Sequence, residues 1–229
     1  MSFMKLEKRG AVYILTLTNG EKDNTFNPDV LAEYHQHFDK IESNYDGAAL
    51  LITSDHPKTF CNGIDLTWLL TQSPDVFQDF VEKLENVFLR VATLNLPVIA
   101  AINGNCYAGG AILASACDFR LMREDRGRFC FSEVNIKIPF TQVMTDVIRL
   151  LPDAQALRDL ALTGKAVGGA EALQMKVADS IHSDTGLLPE ALAFAEMMAQ
   201  KHRPTYSAIK RLLRPTVVEL ATARGLIHA

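Results

Sequence analysis

The 229 residues are 48% hydrophobic and 22% charged with a formal net charge of −4, which suits one soluble core with at most a small appendage, since single cores grow to roughly 250–300 residues. This balance offers no basic field for nucleic acid or for an anionic membrane surface. Cys61, Cys106, Cys117 and Cys130 form no C-x-x-C pair and lie in apolar stretches, so reduced, buried thiols in a cytoplasmic setting are expected.

The first seven residues carry no signal-peptide pattern. Residues 11–18 are rich in β-branched side chains and run into Asn19-Gly20, which predicts a strand and a turn. Asn27 is placed to cap a helix and Pro28 to open it, and Leu31, Tyr34, Phe38 and Ile41 recur on one face. His35 and His37 then fall on the exposed side. Residues 48–53 form a short apolar run of the kind buried on both faces of a sheet. Ser73 and Pro74 begin a second helix that reaches about Leu94, with Phe77, Phe80, Leu84, Val87 and Val91 as its apolar stripe.

No charge occurs between Arg90 and Asp118, yet Pro97, Asn103-Gly104-Asn105 and Gly109-Gly110 interrupt that stretch. It therefore reads as a buried strand over 97–102 and a buried, small-residue helix over 109–117, and a membrane span is not expected. Strands are expected at 119–122 and 128–131, with Arg120, Arg123, Arg126 and Arg128 alternating with Glu124 and Asp125 chiefly as a solvated loop, a contact to a phosphate being the other reading. From Thr141 the chain reads as helices broken at Pro152, Gly164, Gly168-Gly169, Pro189, Pro204 and Pro215, with one short strand near 177–181. Alternating strands and helices followed by helices give an α/β core over 1–186 and a helical portion over 187–229. There Leu188, Leu192 and Ala195 form a stripe suited to an oligomer interface or to the chain's own core.

Two segments combine glycine with the start of a helix: Phe60-Cys61-Asn62-Gly63-Ile64-Asp65-Leu66 and Asn105-Cys106-Tyr107-Ala108-Gly109-Gly110-Ala111. Glycine admits close approach of backbone to a ligand, and first-turn N–H groups lack intrahelical acceptors, so such junctions receive negative charge or serve as tight packing turns. Glu133 is a lone carboxylate in the apolar run Phe129-Cys130-Phe131-Ser132-Glu133-Val134-Asn135-Ile136. Buried there it is a good proton acceptor; exposed at a strand end it is an ordinary surface residue. His56, His182, His202 and His228 are isolated, so no metal site is expected. Gly-x-Ser-x-Gly is absent, and Ser115 reads as a packing residue.

The two glycine segments, Pro97-Val98-Ile99-Ala100-Ala101-Ile102-Asn103-Gly104, Ala108-Gly109-Gly110-Ala111-Ile112-Leu113-Ala114, Cys117-Asp118 and Ser132-Glu133-Val134 resemble, in order and spacing, the crotonase superfamily of enoyl-CoA hydratases and isomerases. The resemblance implies a spiral of stacked ββα units with a helical C-terminal portion, a homotrimer or dimer of trimers, and an acyl-CoA thioester as substrate. No separate cofactor is implied, because coenzyme A arrives as part of the thioester. By motif position the backbone N–H groups of Ile64 and Gly109 hold the thioester oxygen and Glu133 moves the proton. Asn62, Gly63, Asp65, Leu66, Gly110 and Ile112 then fall in the substrate pocket, and Phe26 and Lys58 near the bent coenzyme A, with a solvated loop as the other reading of Lys58.

Hydratases of the superfamily carry a second glutamate where this chain has Ile112. A lone glutamate is similar to the pattern of Δ3,Δ2-enoyl-CoA isomerases, and residues 6–10, 14–18 and 121–127 resemble a plant peroxisomal branch. The C-terminus Gly225-Leu226-Ile227-His228-Ala229 lacks a Ser-Lys-Leu address. Lys137 stands where many relatives have glycine, which implies a different pocket floor. An isomerase is the reading the resemblance favours; a hydratase and a catalytically silent acyl-CoA-binding protein are the alternatives.

Overall fold

The computed structural model describes residues 2–44 and 46–227, so His228 and Ala229, named in the reading of the C-terminus, lie outside the described residues. A strand that the sequence hid opens the chain. β1 (Met4–Arg9) pairs antiparallel with β2 (Val12–Leu17), and its Lys5, Glu7, Lys8 and Arg9 are the charges that edge strands carry, which masks the alternation. α1 (Pro28–Glu42) starts as expected, with Asn27 Oδ1 accepting from the Val30 N–H at 3.0 Å, and buries Leu31, Tyr34, Phe38 and Ile41. His37 is not exposed but buried on that helix, and His35 lies against Arg90; the apolar face is wider than its aliphatic residues alone define.

β3 (Ala49–Ser54) is buried along its whole length, followed by β4 (Thr59–Cys61), α2 (Leu66–Leu69) and α3 (Pro74–Thr93). The uncharged stretch resolves into β5 (Val98–Ile102), β6 (Asn105–Tyr107) and α4 (Gly109–Ala116), and no helix among the described residues is long and apolar enough to cross a membrane. β7 (Phe119–Arg123), β8 (Phe129–Cys130), α5 (Glu133–Ile136), α6 (Gln142–Ile148), α7 (Ala154–Thr163), α8 (Gly169–Gln174), β9 (Ser180–His182), α9 (Asp184–Ala199), α10 (Arg203–Leu213) and α11 (Pro215–Ala223) complete the order. The strand expected near 177–181 thus sits slightly later.

The strands form one sheet in the order β1-β2-β3-β5-β7-β9 and a second in the order β4-β6-β8. Each of the successive pairs β3/β4, β5/β6 and β7/β8 contributes its first strand to the large sheet and its second to the small one. This is the expected α/β architecture of stacked ββα units with a helical C-terminal part. One face of the large sheet is packed by α1, α3 and α4. α9 covers the other face, where Leu187, Ala191 and Ala195 meet Ile14, Leu51 and Ile99. Of the stripe Leu188, Leu192 and Ala195, the last two therefore pack on the chain's own sheet, and Leu188 is exposed. Residue 186 lies in the first turn of α9.

Arg120 and Arg123 are not loop residues in solvent. Both are buried on β7, where Arg120 donates to the carbonyls of Val177 and Cys117 and Arg123 pairs with Asp125 and Asp184. Ser115 is a packing residue, its hydroxyl donating to the Ala111 carbonyl at 2.8 Å. The C-terminal helices are locked to α4 by Asp118, which accepts from the Val98 N–H at 2.8 Å, Lys210 Nζ at 2.9 Å and Arg214 Nη2 at 2.7 Å. Burial pulls the Lys210 ammonium below its ordinary range, and Asp118 opposes that pull. Asp118→Asn leaves buried Lys210 and half-buried Arg214 without their carboxylate, so a loss of about 3–5 kcal/mol, seen as a fall in Tm of roughly 10 °C, is expected. An unchanged melting curve would show that the pair is not carrying the helix.

Candidate active site

The small sheet sets the site. At the C-terminal ends of its strands, β4 runs through Asn62, Gly63 and Ile64 into α2, β6 through Ala108 into α4, and β8 through Phe131 and Ser132 into α5. A Cβ on Gly110 would lie 2.0 Å from the Cys61 carbonyl oxygen, and one on Gly63 would lie 2.8 Å from the Gly109 nitrogen. Backbone therefore rests on backbone where the first two junctions meet. Beneath them Phe26, fully buried and edge-on to Phe88, ties its own loop to the first junction: its N–H donates to Gly63 O at 2.7 Å and its carbonyl accepts from Asp65 N at 2.9 Å.

Ala108, immediately before α4, has φ 47° and ψ −123°, a conformation that costs a residue with a side chain of order 1–3 kcal/mol and persists only where its surroundings impose it. It turns the chain so that Gly109 begins the helix at the wall of a cavity. Among the described residues, neither the Ile64 N–H nor the Gly109 N–H finds an acceptor. Two free donors, from junctions in backbone contact, flank one space.

That space is a cavity of about 350 Å³. Asn62, Ile64 and Leu66 line it from the first junction, Ala108, Gly109 and Ile112 from the second, and Ser132 and Glu133 from the third. Phe77, Val81 and Leu84 of α3 and the segment from Ile136 to Met144 close it, leaving Glu133 as the one ionisable side chain among the lining residues. Glu133 is 6% exposed, and its Oε2 is buried with no hydrogen-bond partner. Burial pushes its carboxyl up to about 7, against the small opposing effect of its own backbone N–H. Asn62 Oδ1 is likewise buried without a partner. An unpaired buried polar group costs about 1–3 kcal/mol, so a site holding two is organised for a polar ligand.

The structure thus brings together Glu133, Ile64, Gly109, Asn62, Leu66 and Ile112. Gly63 and Gly110 lie behind the wall and make the close contacts that shape it. Asp65 caps α2, accepting from the Trp68 N–H at 3.0 Å. Lys58 is exposed at the opposite, N-terminal end of β4, with its backbone against Gly104. In the sequence Phe77 and Leu84 read as core, Ile136 as part of the apolar run around Glu133, and Ile138, Phe140 and Met144 carry no mark of a site. Nothing in their spacing separates a cavity wall from a packed interior. Lys137, by contrast, was conspicuous, and it occupies the left-handed region at φ 61°, which favours the glycine of the related pattern.

Residues 7–226 match the enoyl-CoA hydratase/isomerase family. The chain belongs to that family. Within it, the chain is 32% identical to "Enoyl-CoA delta isomerase 3" of Arabidopsis thaliana, covering 96% of this chain and 97% of that protein. It is 33% identical to "Enoyl-CoA delta isomerase 2, peroxisomal" of the same plant, covering 96% and 95%. A solved structure described as a probable enoyl-CoA hydratase/isomerase from Mycobacterium abscessus superposes with a TM-score of 0.83 at 27% identity, covering 95% of this chain and 83% of that one. The chain is therefore an enzyme of the enoyl-CoA hydratase/isomerase family.

Proposed function

We propose that this enzyme shifts a carbon–carbon double bond from position 3 to position 2 of an acyl-CoA thioester. The observation that carries the proposal is that the cavity holds a single carboxylate, Glu133, facing a space whose other wall presents Ile112. Adding water needs one group to activate the water and another to manage the proton at C2. Moving a double bond needs one base that returns the proton it takes.

Glu133 removes a proton from C2, and the freed electron pair spreads over the C3=C4 bond and the thioester carbonyl as a dienolate. The Ile64 and Gly109 N–H groups receive the charge on its oxygen, each such donor being worth roughly 3–4 kcal/mol at the transition state. Glu133 then delivers the proton to C4, which leaves the double bond between C2 and C3. An acid constant near neutrality lets one group act in both directions. Ile112, 1% exposed, keeps a water off the C3 face. The names of the Arabidopsis isomerases support the same reading.

The purified protein is expected to convert 3-enoyl-CoA to 2-enoyl-CoA much faster than it hydrates 2-enoyl-CoA. Hydration at the rate of isomerisation would move the function to hydratase, and saturable binding without either reaction would make the chain a silent acyl-CoA-binding member. Ile112→Glu tests the role of the apolar wall. A water admitted beside the new carboxylate raises hydration at the expense of isomerisation; if none enters, the unpaired charge lowers stability by a few kcal/mol, about 3 or more, read as a fall in Tm with no hydration.

A further inference from the structure

α4 is buried along its whole length, carries no charged residue, and begins with Gly109 at the wall of the cavity. Its other end is closed in an uncommon way. No glycine turns the chain there, Cys117 being extended at φ −65° and ψ 158°. Instead Ala114 O and Cys117 O accept from Arg120 Nη1 at 3.5 and 3.0 Å, and Ala116 O accepts from Arg214 Nη1 at 3.3 Å. Arg120 comes from β7 and Arg214 from the junction of α10 and α11. The same Arg214 nitrogen donates to Ala92 O at 2.8 Å, so the carbonyl ends of α3 and α4 share one guanidinium. Around this end Arg120, Lys210 and Arg214 stand against Asp118 and the half-exposed Asp179, which leaves an excess of positive charge removed from water. Gathering it there is costly, whereas water or a glycine turn satisfies most helix ends without burying any charge.

Resting on the oxyanion role proposed for the Gly109 N–H, we propose that Arg214, together with Arg120, is a positioning residue for the bond shift. The two guanidiniums hold the carbonyl end of α4 and set positive charge behind the helix, and both effects act on the oxygen through the N–H at its front. Cations at a C-terminus fix a helix and reinforce its dipole, whose positive end here is Gly109. The eight residues of α4 span about 12 Å, and a hydrogen bond at each end brings the separation of charge and oxygen to roughly 18 Å. Every residue along that path is buried, so water screens little of the interaction. At an effective dielectric constant of about 20, one unit charge at that distance changes the formation of a negative oxygen about fivefold.

A 3-ketoacyl thioester tests this without turnover, because its enolate carries the same negative oxygen and absorbs in the near ultraviolet where the neutral form does not. The probe is acetoacetyl-CoA at saturating concentration, titrated with pH in a Glu133→Gln background so that the ionisation of the base at about 7 does not overlay it. In that background the bound enolate is expected to form at lower pH than in free solution. Adding Arg214→Gln, which keeps a donor and removes the charge, is expected to weaken enolate formation about fivefold, moving the titration up by about 0.7 of a pH unit. The Kd of hexanoyl-CoA, a neutral thioester, should not change with it. Arg214→Lys keeps the charge and should titrate close to the background. Lys210→Met takes another cation from this end without touching the α4 carbonyls, and it should shift the titration the same way by less, which keeps the test open if Arg214→Gln does not fold. Arg224→Gln is the control: Arg224 ties the end of α11 to α3 through Glu85 and Asn86, so its loss should lower Tm and leave the titration alone. Enolate formation in Arg214→Gln and Lys210→Met equal to that of the control would reduce the cluster to a structural lock and overturn the proposal, as would an Arg214→Lys variant as weak as Arg214→Gln. A ligand that titrates in the Glu133→Gln background as it does in free solution would instead remove the oxyanion reading on which the proposal rests.

Discussion

Glu133→Gln is expected to lower the rate of the bond shift by about 10³-fold or more, with acyl-CoA affinity within about a factor of two of the parent protein. The amide keeps the volume and the planar shape of the side chain and loses the ability to accept a proton. Since the carboxyl ionises at about 7, kcat/KM of the parent should rise with pH through that value, as the base becomes available, and the residual activity of the variant should lack that rise. The same shift has a stability signature of definite sign. Relative to an unfolded carboxyl at 4.5, the folded protein binds the proton more tightly. Stability is therefore greatest below the unfolded value and is lost as pH rises through the folded one. Glu133→Gln removes that loss, so it should unfold like the parent at pH 4 and be more stable at pH 8 by up to about 3 kcal/mol. A near-normal rate in the variant would take the base away from Glu133.

Gly63→Ala is expected to cost about 10²–10³-fold in kcat, through the donor rather than through the base. Gly63 has φ 84°, and the added methyl would lie 2.8 Å from the Gly109 nitrogen and 3.0 Å from the Ala108 Cβ. It either covers the Gly109 N–H or pushes the second junction off the first. Gly10→Ala is the control, because Gly10 also has a positive φ, 55°, with nothing within 4 Å of the added carbon. Both variants carry the backbone strain, of about 1 kcal/mol, and only Gly63→Ala also obstructs a donor. Circular dichroism melts should place Gly63→Ala below Gly10→Ala, because its methyl also meets the Gly109 backbone, while at temperatures where both are folded kcat separates them by far more. If kcat of Gly63→Ala matches that of Gly10→Ala, the oxygen of the thioester is held elsewhere.

Much of this site was legible in the sequence because its chemistry is backbone chemistry with a fixed residue requirement. Only glycine fits where Gly110 meets the Cys61 carbonyl, so Gly109-Gly110 and Gly63 marked two close backbone junctions, and the resemblance to the crotonase superfamily implied the donors within them. Glu133 was legible for a different reason: a charge in an apolar run is conspicuous. Helix starts at Asn27-Pro28 and Ser73-Pro74 were equally plain, since capping is local. What failed was tertiary. β4 and β6 are three residues each and are held by pairing in the small sheet with one another and with β8, so they have no periodicity to find. The charges of Arg120, Arg123 and His37 signalled solvent, yet Arg120 is buried against Val177 and Asp179 and Arg123 pairs with Asp184, all far along the chain, while His37 is buried beside Glu33 on its own helix. The cavity walls at Ile136, Ile138 and Phe140 look like any interior until the space beside them is known.

The anchoring of Asp118 bears on the order in which the molecule can be completed. Its ammonium partner, Lys210, lies 92 residues further along the chain, so during synthesis the carboxylate at the end of α4 waits for most of the C-terminal half to emerge. Until α10 docks, burying that end of α4 leaves the carboxylate without its ammonium, although Gly110 already has the Cys61 carbonyl to rest against. Loop closure over such a distance is slow compared with local helix formation. A chain that lacks its C-terminal helices is therefore expected to expose the apolar surface of α3 that α11 covers and to leave α4 without one of its anchors.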